Sequence, residues 1–425
     1  MNIMLGGKGM RMKKVLLFVV LLFAMILAAC SGGDTSSTEP AEEDTPAETE
    51  ENNNEETEDE ASGTSPAQAV NIGYSGPLSG PAAFYGENTL SGLEMAVDEI
   101  NENGGFEVNG QNYTLNLVSL DDKYLPNETG ANAKRLKQEH NTPIIFVPHS
   151  GGIFATQVFN MQDNFIVGAY SSEPAITEQN NSLTLRIPPK YDGYIEPFTE
   201  YQMERFGKKI AFLPTATQYG KDWAETLEPV WKEKGGEIVY NGSIDFNKDT
   251  DFFTIVTNAL KENPDVLFVG GPSEPTALVI KQARELGFKG GFIIMDQAKL
   301  DEIAAVLGGM DMLEGSAGTL PLVVSIEPEN QKFFDDYKAA HGKDPGSEAG
   351  YHYLSMYLFV EAMKAAGSVD DPQAIMENIQ AGLDALPEDK KIYKVNEVEP
   401  DGGLVTPLRI GVVEEGKIVD ISIDE

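Results

Sequence analysis

The sequence predicts an α/β fold with parallel sheets, and three patterns carry that expectation. First, short apolar runs recur: Val70–Tyr74, Leu115–Leu120, Ile144–Pro148, Phe165–Ala169, Ile210–Pro214, Val266–Gly270 and Phe292–Met295. They are rich in Val, Ile, Leu and Phe and apolar on both faces, as strands buried between helices must be. Second, amphipathic stretches separate the runs. Asn88–Asn101 carries Leu90, Leu93, Val97 and Ile100 at three- and four-residue steps, the spacing of one helix face. Glu225–Lys234 and Pro275–Leu286 behave similarly, and Pro328–His341 and Tyr351–Ala366 read as longer helices. Third, Gly104-Gly105, Gly235-Gly236, Gly287 and Gly367 fall where those helices should stop. Strand–helix alternation of this kind builds parallel sheets. No internal repeat is visible.

The body from residue 70 to 425 is too long for one comfortable core, which points to two domains. What precedes it differs in composition. Lys13 and Lys14 lead into an unbroken apolar run, Val15–Ala29, which ends at Cys30. A basic start, a short apolar core and small residues at the break are the parts of a secretory signal. The run is shorter than the roughly 20 residues a bilayer span needs. Leu27-Ala28-Ala29-Cys30 is similar to the bacterial lipobox, which implies cleavage after residue 29 and a lipid, palmitate included, on Cys30. Cys30 is the single cysteine, so no internal disulfide can form. Residues 31–69 hold 13 Asp and Glu, no Lys or Arg and no large apolar side chain. Such a segment cannot bury enough apolar surface to offset chain entropy, so 30–69 is expected to be a lipidated, acidic, disordered tether.

The formal charge of the chain is −37; loss of residues 1–29, with four cations, leaves −41, and setting aside the 13 tether carboxylates leaves −28 on the body. That balance excludes nucleic-acid binding, which needs a basic footprint. It also excludes docking on anionic lipid heads by charge. A surface this acidic keeps copies apart, so a monomer is expected.

In open α/β sheets ligands sit beyond the carboxyl ends of the strands, so the residues after each run matter most. They are Ser75–Gly80 with Phe84-Tyr85-Gly86, then His149-Ser150-Gly151-Gly152, Tyr170-Ser171-Ser172-Glu173, Thr215–Gly220 with Tyr219, Gly271-Pro272-Ser273-Glu274, and Asp296-Gln297. Ser or Gly after a strand is ordinary turn chemistry. Its recurrence with aromatics and a carboxylate at the same end of six strands describes a binding cleft. Ser and Gly before a helix suit a carboxylate, and an acid on the opposite wall suits an ammonium group.

Taken in order, Ser75-Gly76-Pro77 with Tyr85-Gly86, Asp98-Glu99-Ile100-Asn101 with Gly104-Gly105, Leu120-Asp121-Asp122, Gln218-Tyr219-Gly220 and Gln282–Gly287 resemble the type I periplasmic binding proteins. The nearest branch is that of the leucine/isoleucine/valine-binding proteins of ABC transporters. The resemblance spans nearly all of 70–425. It implies two doubly wound parallel-sheet lobes joined by a three-crossing hinge, lobe 1 from 70–188 plus 319–395 and lobe 2 from 189–318 plus 396–425. It also implies the ligand-binding residues. Ser150, Gly151 and Gly152 would hold the ligand carboxylate. Tyr170, Ser171 and Ser172 would offer a carbonyl to the ammonium and a hydroxyl to the carboxylate. Tyr85 would flank the side chain, Tyr219 would close from lobe 2, Ser273 would line that lobe, and Asp296 would bind the ammonium. The sequence departs from the branch where a second lobe-2 aromatic gives way to Pro272-Ser273, and where the acid is Asp instead of Glu.

Enzyme chemistry has no support. There is no Gly-x-Ser-x-Gly elbow, Walker loop or Gly-x-Gly-x-x-Gly, and His140, His149, His341 and His352 make no metal-ligand spacing. The expectation is a lipid-anchored extracytoplasmic binder with no cofactor and no metal. It would present a small amino acid or related carboxylate to an ABC permease, on a Gram-positive surface in preference to a periplasm. The alternatives are a sensing receptor on the same fold, or a binder of an amide, urea or an aromatic acid.

Overall fold

The computed structural model describes residues 66–422. The signal segment, Cys30 and nearly all of the tether lie outside that range.

Two sheets organise the chain. The first contains β1 (Gln68–Gly76), β2 (Phe106–Val108), β3 (Gln111–Asp121), β4 (Ile144–Val147), β5 (Ile166–Ala169) and β6 (Thr184–Arg186). Their order is β2-β3-β1-β4-β5-β6, parallel except for β2. The second begins with β7 (Lys209–Pro214), β8 (Glu237–Asn241), β9 (Val266–Gly270), β10 (Gly291–Ile294) and β11 (Ser316–Thr319), all parallel. A small ribbon, β12 (Glu397–Val398) and β13 (Leu404–Val405), precedes β14 (Ile410–Glu414) and β15 (Lys417–Asp420). The last two complete the second sheet in the order β15-β14-β11-β10-β9-β7-β8. In each sheet the first strand is interior: β1 lies between β3 and β4, and β7 between β8 and β9. The strand order therefore reverses there, and the crevice beyond those strand ends is where such folds take ligands.

The helices α1 (Ala83–Glu102), α2 (Pro126–His140), α3 (Ser150–Gln157) and α4 (Asn160–Asp163) belong to the first sheet. The second carries α5 (Asp192–Arg205), α6 (Gln218–Glu233), α7 (Phe253–Lys261), α8 (Ser273–Glu285) and α9 (Leu300–Leu307). The chain then returns to the first lobe with α10 (Gln331–His341), α11 (Ser347–Ala366), α12 (Pro372–Glu377) and α13 (Ile379–Ala385). It thus passes between the sheets three times: after β6, after β11 and before β14.

Why the apolar runs show no alternation is clear from their partners. In β4, Ile144 and Phe146 join one core and Ile145 and Val147 the other. In β9, Val266 and Phe268 face one layer while Leu267 and Val269 face the opposite one. Both faces are covered, and each fully buried side chain contributes about 1.5–3 kcal/mol. The central helix α11 is buried from Ser347 to Val360 on every side, which erases amphipathic spacing. Gly235 and Gly367 take left-handed φ values of 82° and 65° just past their helices, conformations that cost a side-chain-bearing residue more.

Candidate functional site

A cavity lies between the two sheets' carboxyl ends. Its lobe-1 wall begins at Tyr85, whose hydroxyl donates to the Pro148 carbonyl at 2.6 Å. The turn of α1 that presents Tyr85 is packed tightly: a Cβ on Gly86 would fall 1.7 Å from the Pro77 carbonyl oxygen. Next comes His149, in extended backbone conformation at the cap of α3. Its Nδ1 accepts the Gly152 N–H at 3.0 Å, so the ring proton belongs on Nε2, which lies 3.0 Å from Asp122 Oδ2. The buried Asp122 carboxylate also accepts the hydroxyls of Ser75 at 3.2 Å and Thr129 at 2.9 Å. Ser150, first residue of α3, lines the cavity, and among the described residues nothing occupies its N–H or hydroxyl. The positive end of a helix with a free hydroxyl can take an anion.

The segment after β5 supplies Tyr170, Ser171 and Ser172. Tyr170 packs between Tyr85 and His352, at centroid distances of 6.4 and 4.7 Å. From lobe 2, Tyr219 near the start of α6 meets the Ser172 hydroxyl at 2.8 Å and donates to Asp296 Oδ1. Trp223 Nε1 donates to the same oxygen at 3.0 Å. Asp296 is thereby fixed by one oxygen, while Oδ2 has no donor among the described residues. Burial raises the phenols of Tyr85, Tyr170 and Tyr219 well above their ordinary range, so they remain neutral.

Of the residues expected to bind ligand, Tyr85, Ser150, Tyr170, Ser171, Ser172, Tyr219 and Asp296 line this one cavity. Gly151, Gly152 and Ser273 do not line it. The Gly152 N–H is spent on His149, and the Ser273 hydroxyl donates to Glu302 at 2.6 Å and accepts from the Lys299 N–H. Ser172 is also engaged, its carbonyl accepting the Tyr191 N–H at 3.0 Å. A ligand carboxylate must compete with Tyr219 for its hydroxyl.

Tyr124, Gln297 and Lys299 also line the cavity, though none was among the expected ligand residues. Tyr124 reaches across to the Gln297 amide, 2.7 Å away. It is held by two successive left-handed residues, Lys123 and Tyr124 at φ 55° and 62°, whose N–H groups donate to Asp121 and Asp122 at 2.9 Å. A bulky residue at positive φ is strained, and here the strain turns a ring over the cleft. Gln297 stood next to an expected residue; Lys299 had no local signal at all. The Lys299 ammonium is buried, donates to the Asp296 carbonyl and lies 3.3 Å from Glu348 of lobe 1. Burial alone would depress its pKa, but Glu348, Asp296 and Glu302 together raise it. The cavity measures ≈ 30 Å³, room for about two waters, so the lobes must part to admit a solute. Among the described residues no group of His, Cys, Asp and Glu could hold a metal, and no helix is long and apolar enough to cross a membrane.

Two doubly wound lobes with polar strand ends converging on one cleft define a hinged solute-binding protein. The chain belongs to the periplasmic binding protein family, whose model matches residues 69–417, and within it to the type I, leucine/isoleucine/valine-binding-like branch. It is 26% identical over 330 residues to the leucine-, isoleucine-, valine-, threonine- and alanine-binding protein of Pseudomonas aeruginosa, covering 77% of this chain and 86% of that protein. Among solved structures it is similar to a branched-chain amino acid transporter substrate-binding protein of Streptococcus pneumoniae in complex with isoleucine. The TM-score there is 0.69 at 21% identity, over 84% of this chain and 99% of that one. A solute-binding protein of R. palustris in complex with benzoate aligns with a TM-score of 0.70 at 20% identity, over 83% and 96% of the two chains. These likenesses define the fold; they leave the solute open.

Proposed function

We propose that this chain is an extracytoplasmic, lipid-anchored binding protein that captures a small amino acid or related carboxylate and delivers it to an ABC importer. One observation carries the ligand class. In a single cavity, the unoccupied N–H and hydroxyl of Ser150, first residue of α3, share the lining with Asp296, whose Oδ2 is unspent. An anion acceptor and a cation acceptor on opposite lobes suit a zwitterion, and binding both ends would draw the lobes shut. Tyr85, Tyr124, Tyr170 and Tyr219 supply the remaining walls. The hydroxyl-rich wall and the Lys299 ammonium favour a side chain more polar than leucine's. The tyrosine walls also support a second reading, an amine-free aromatic acid, in keeping with the benzoate-bound relative.

Thermal-shift screening of the twenty amino acids, simple amides, urea and benzoate would find the solute. Asp296→Asn then decides its class, because Asn keeps an acceptor for Tyr219 and Trp223 while removing the charge. A charge-assisted hydrogen bond contributes about 1.5–3 kcal/mol, so binding of an amino acid should weaken at least about tenfold. A solute whose affinity is indifferent to Asp296→Asn has no ammonium in that subsite, and the amino-acid assignment would then be wrong.

A further inference from the structure

Outside the ligand cavity the lobes meet a second time. Asn88 of α1 donates to Glu302 of α9 at 2.8 Å, and Lys343 of lobe 1 holds the other end of the Asn88 amide at 2.5 Å. Glu302 takes its second hydrogen bond from Ser273 on its own lobe. Glu348, at the start of α11, faces this group from lobe 1. Both its oxygens are buried and receive no aligned hydrogen bond from the described residues; Lys299 approaches one of them at 3.3 Å off-axis. Asp301 Oδ1 is buried without a donor beside them. The two glutamates crowd a common point: a Cβ on Gly346 would be 2.8 Å from Glu302 Oε1 and 2.8 Å from Glu348 Oε2. Three buried carboxyls thus share the single ammonium of Lys299. Buried carboxylates without compensating donors are costly, and the least costly arrangement keeps a proton in the group.

We infer that Asn88, Lys299, Glu302 and Glu348 form a second lobe-to-lobe contact that sets how readily the cleft shuts, and that the shut form holds a proton on Glu302, beside the Glu348 carboxyl. These are positioning residues: none touches the cavity except Lys299, which also steadies the Asp296 carbonyl. The groups facing Glu302 are Glu348 from α11, Asp301 and Lys299 from its own segment, Tyr337 from α10, and Lys343 through Asn88. Burial first, then Glu348 and Asp301, pushes the Glu302 carboxyl well up, and burial with Glu348 pushes Asp301 to about 6. When the lobes part, water reaches Glu302 and Asp301, and their carboxyls fall back toward the ordinary range. A pKa higher in the shut form means closure takes up a proton. The contact is therefore strong in mild acid and weakens as pH rises through neutrality.

The inference rests on hinged lobes but not on the identity of the solute, so it is tested without one. Small-angle scattering of the wild-type chain from about pH 5.5 to about pH 8.5 should show expansion of roughly 1 Å on a compact radius of gyration of roughly 20 Å. Glu302→Gln, a fixed neutral stand-in for the protonated acid, should stay compact at both ends. Asn88→Ala, which keeps every carboxyl but loses the cross-lobe donor, should be expanded throughout. A wild-type radius constant with pH, or an equal expansion in Glu302→Gln, overturns the proton on Glu302. A compact Asn88→Ala overturns the contact itself.

Discussion

At Gly152 a Cβ would sit 2.7 Å from His149 Cε1, 2.8 Å from its Nε2 and 2.8 Å from Thr129 Cγ2. The glycine is needed because the imidazole turns back over the first turn of α3 to accept the Gly152 N–H. Gly152→Ala should therefore cost about 1–3 kcal/mol through overpacking, read as a lowered unfolding midpoint. Solute affinity should fall with it, because Ser150 shifts with the cap. An unchanged midpoint would mean that His149 does not occupy this position. The same residues show what a sequence can disclose. Ser150, Tyr170, Ser172, Tyr219 and Asp296 were visible because each follows a buried strand, and strand ends are where the fold collects ligand groups. Gly152 was assigned to the solute because nothing in the sequence reveals that a neighbouring ring consumes its N–H. Tyr124 stayed hidden because its position depends on two left-handed residues, and Lys299 because a lone lysine ordinarily marks a solvated surface.

Among the elements, those buried on both faces were the legible ones. The run Val266–Gly270 coincides with β9, and Lys209–Pro214 differs from its run by one residue. Two strands were not: the edge strand β8, Glu237–Asn241, carries only the three-residue apolar run Ile238–Tyr240 and is partly exposed, and β11, although buried between β10 and β14, reads Ser-Ala-Gly-Thr, as a loop would. The hairpins β2–β3 and β14–β15 turn on Asn109-Gly110 and Glu415-Gly416, all four at positive φ. The first carried the Asn-Gly signature, lost beside the stronger apolar runs. The crossings between lobes were legible only through family resemblance, since their order depends on contacts distant in sequence. Two of them run side by side where the Arg186 N–H donates to Gly402 at 2.8 Å. The buried Arg186 guanidinium reaches Glu399 at 3.0 Å, and Lys190 reaches the same carboxylate at 3.2 Å. Glu399→Ala strips the buried cation of its partner. Because Glu399 is itself 38% exposed, the expected loss is about 1–2 kcal/mol rather than that of a sealed pair. Lys190→Ala, at a partly exposed site, should cost less than about 1 kcal/mol. Equal losses in denaturant titration would show that Arg186 does not anchor the crossing.

For the molecule as a whole, charge decides how it can be held at a membrane. With −28 on residues 70–425 and 13 further carboxylates in 31–69, the chain is repelled by an anionic leaflet, where each basic residue would contribute only about 1 kcal/mol. No helix among the described residues can span a bilayer. The proposed attachment therefore rests on the lipid at Cys30, and its two signatures are opposite to those of a peripheral protein. Salt screens exposed charges over about 3 Å at 1 M, so a protein held by charge comes off in a high-salt wash, whereas this one should stay in the membrane fraction. Cys30→Ala should abolish retention, with the chain appearing in the soluble extracytoplasmic fraction or accumulating uncut at the higher precursor mass. Fractionation with mass measurement separates the cases. A Cys30→Ala chain that is trimmed normally and still sediments with membranes would exclude the thiol as the anchor, while the binding cleft, which lies wholly within residues 66–422, would be untouched by that result.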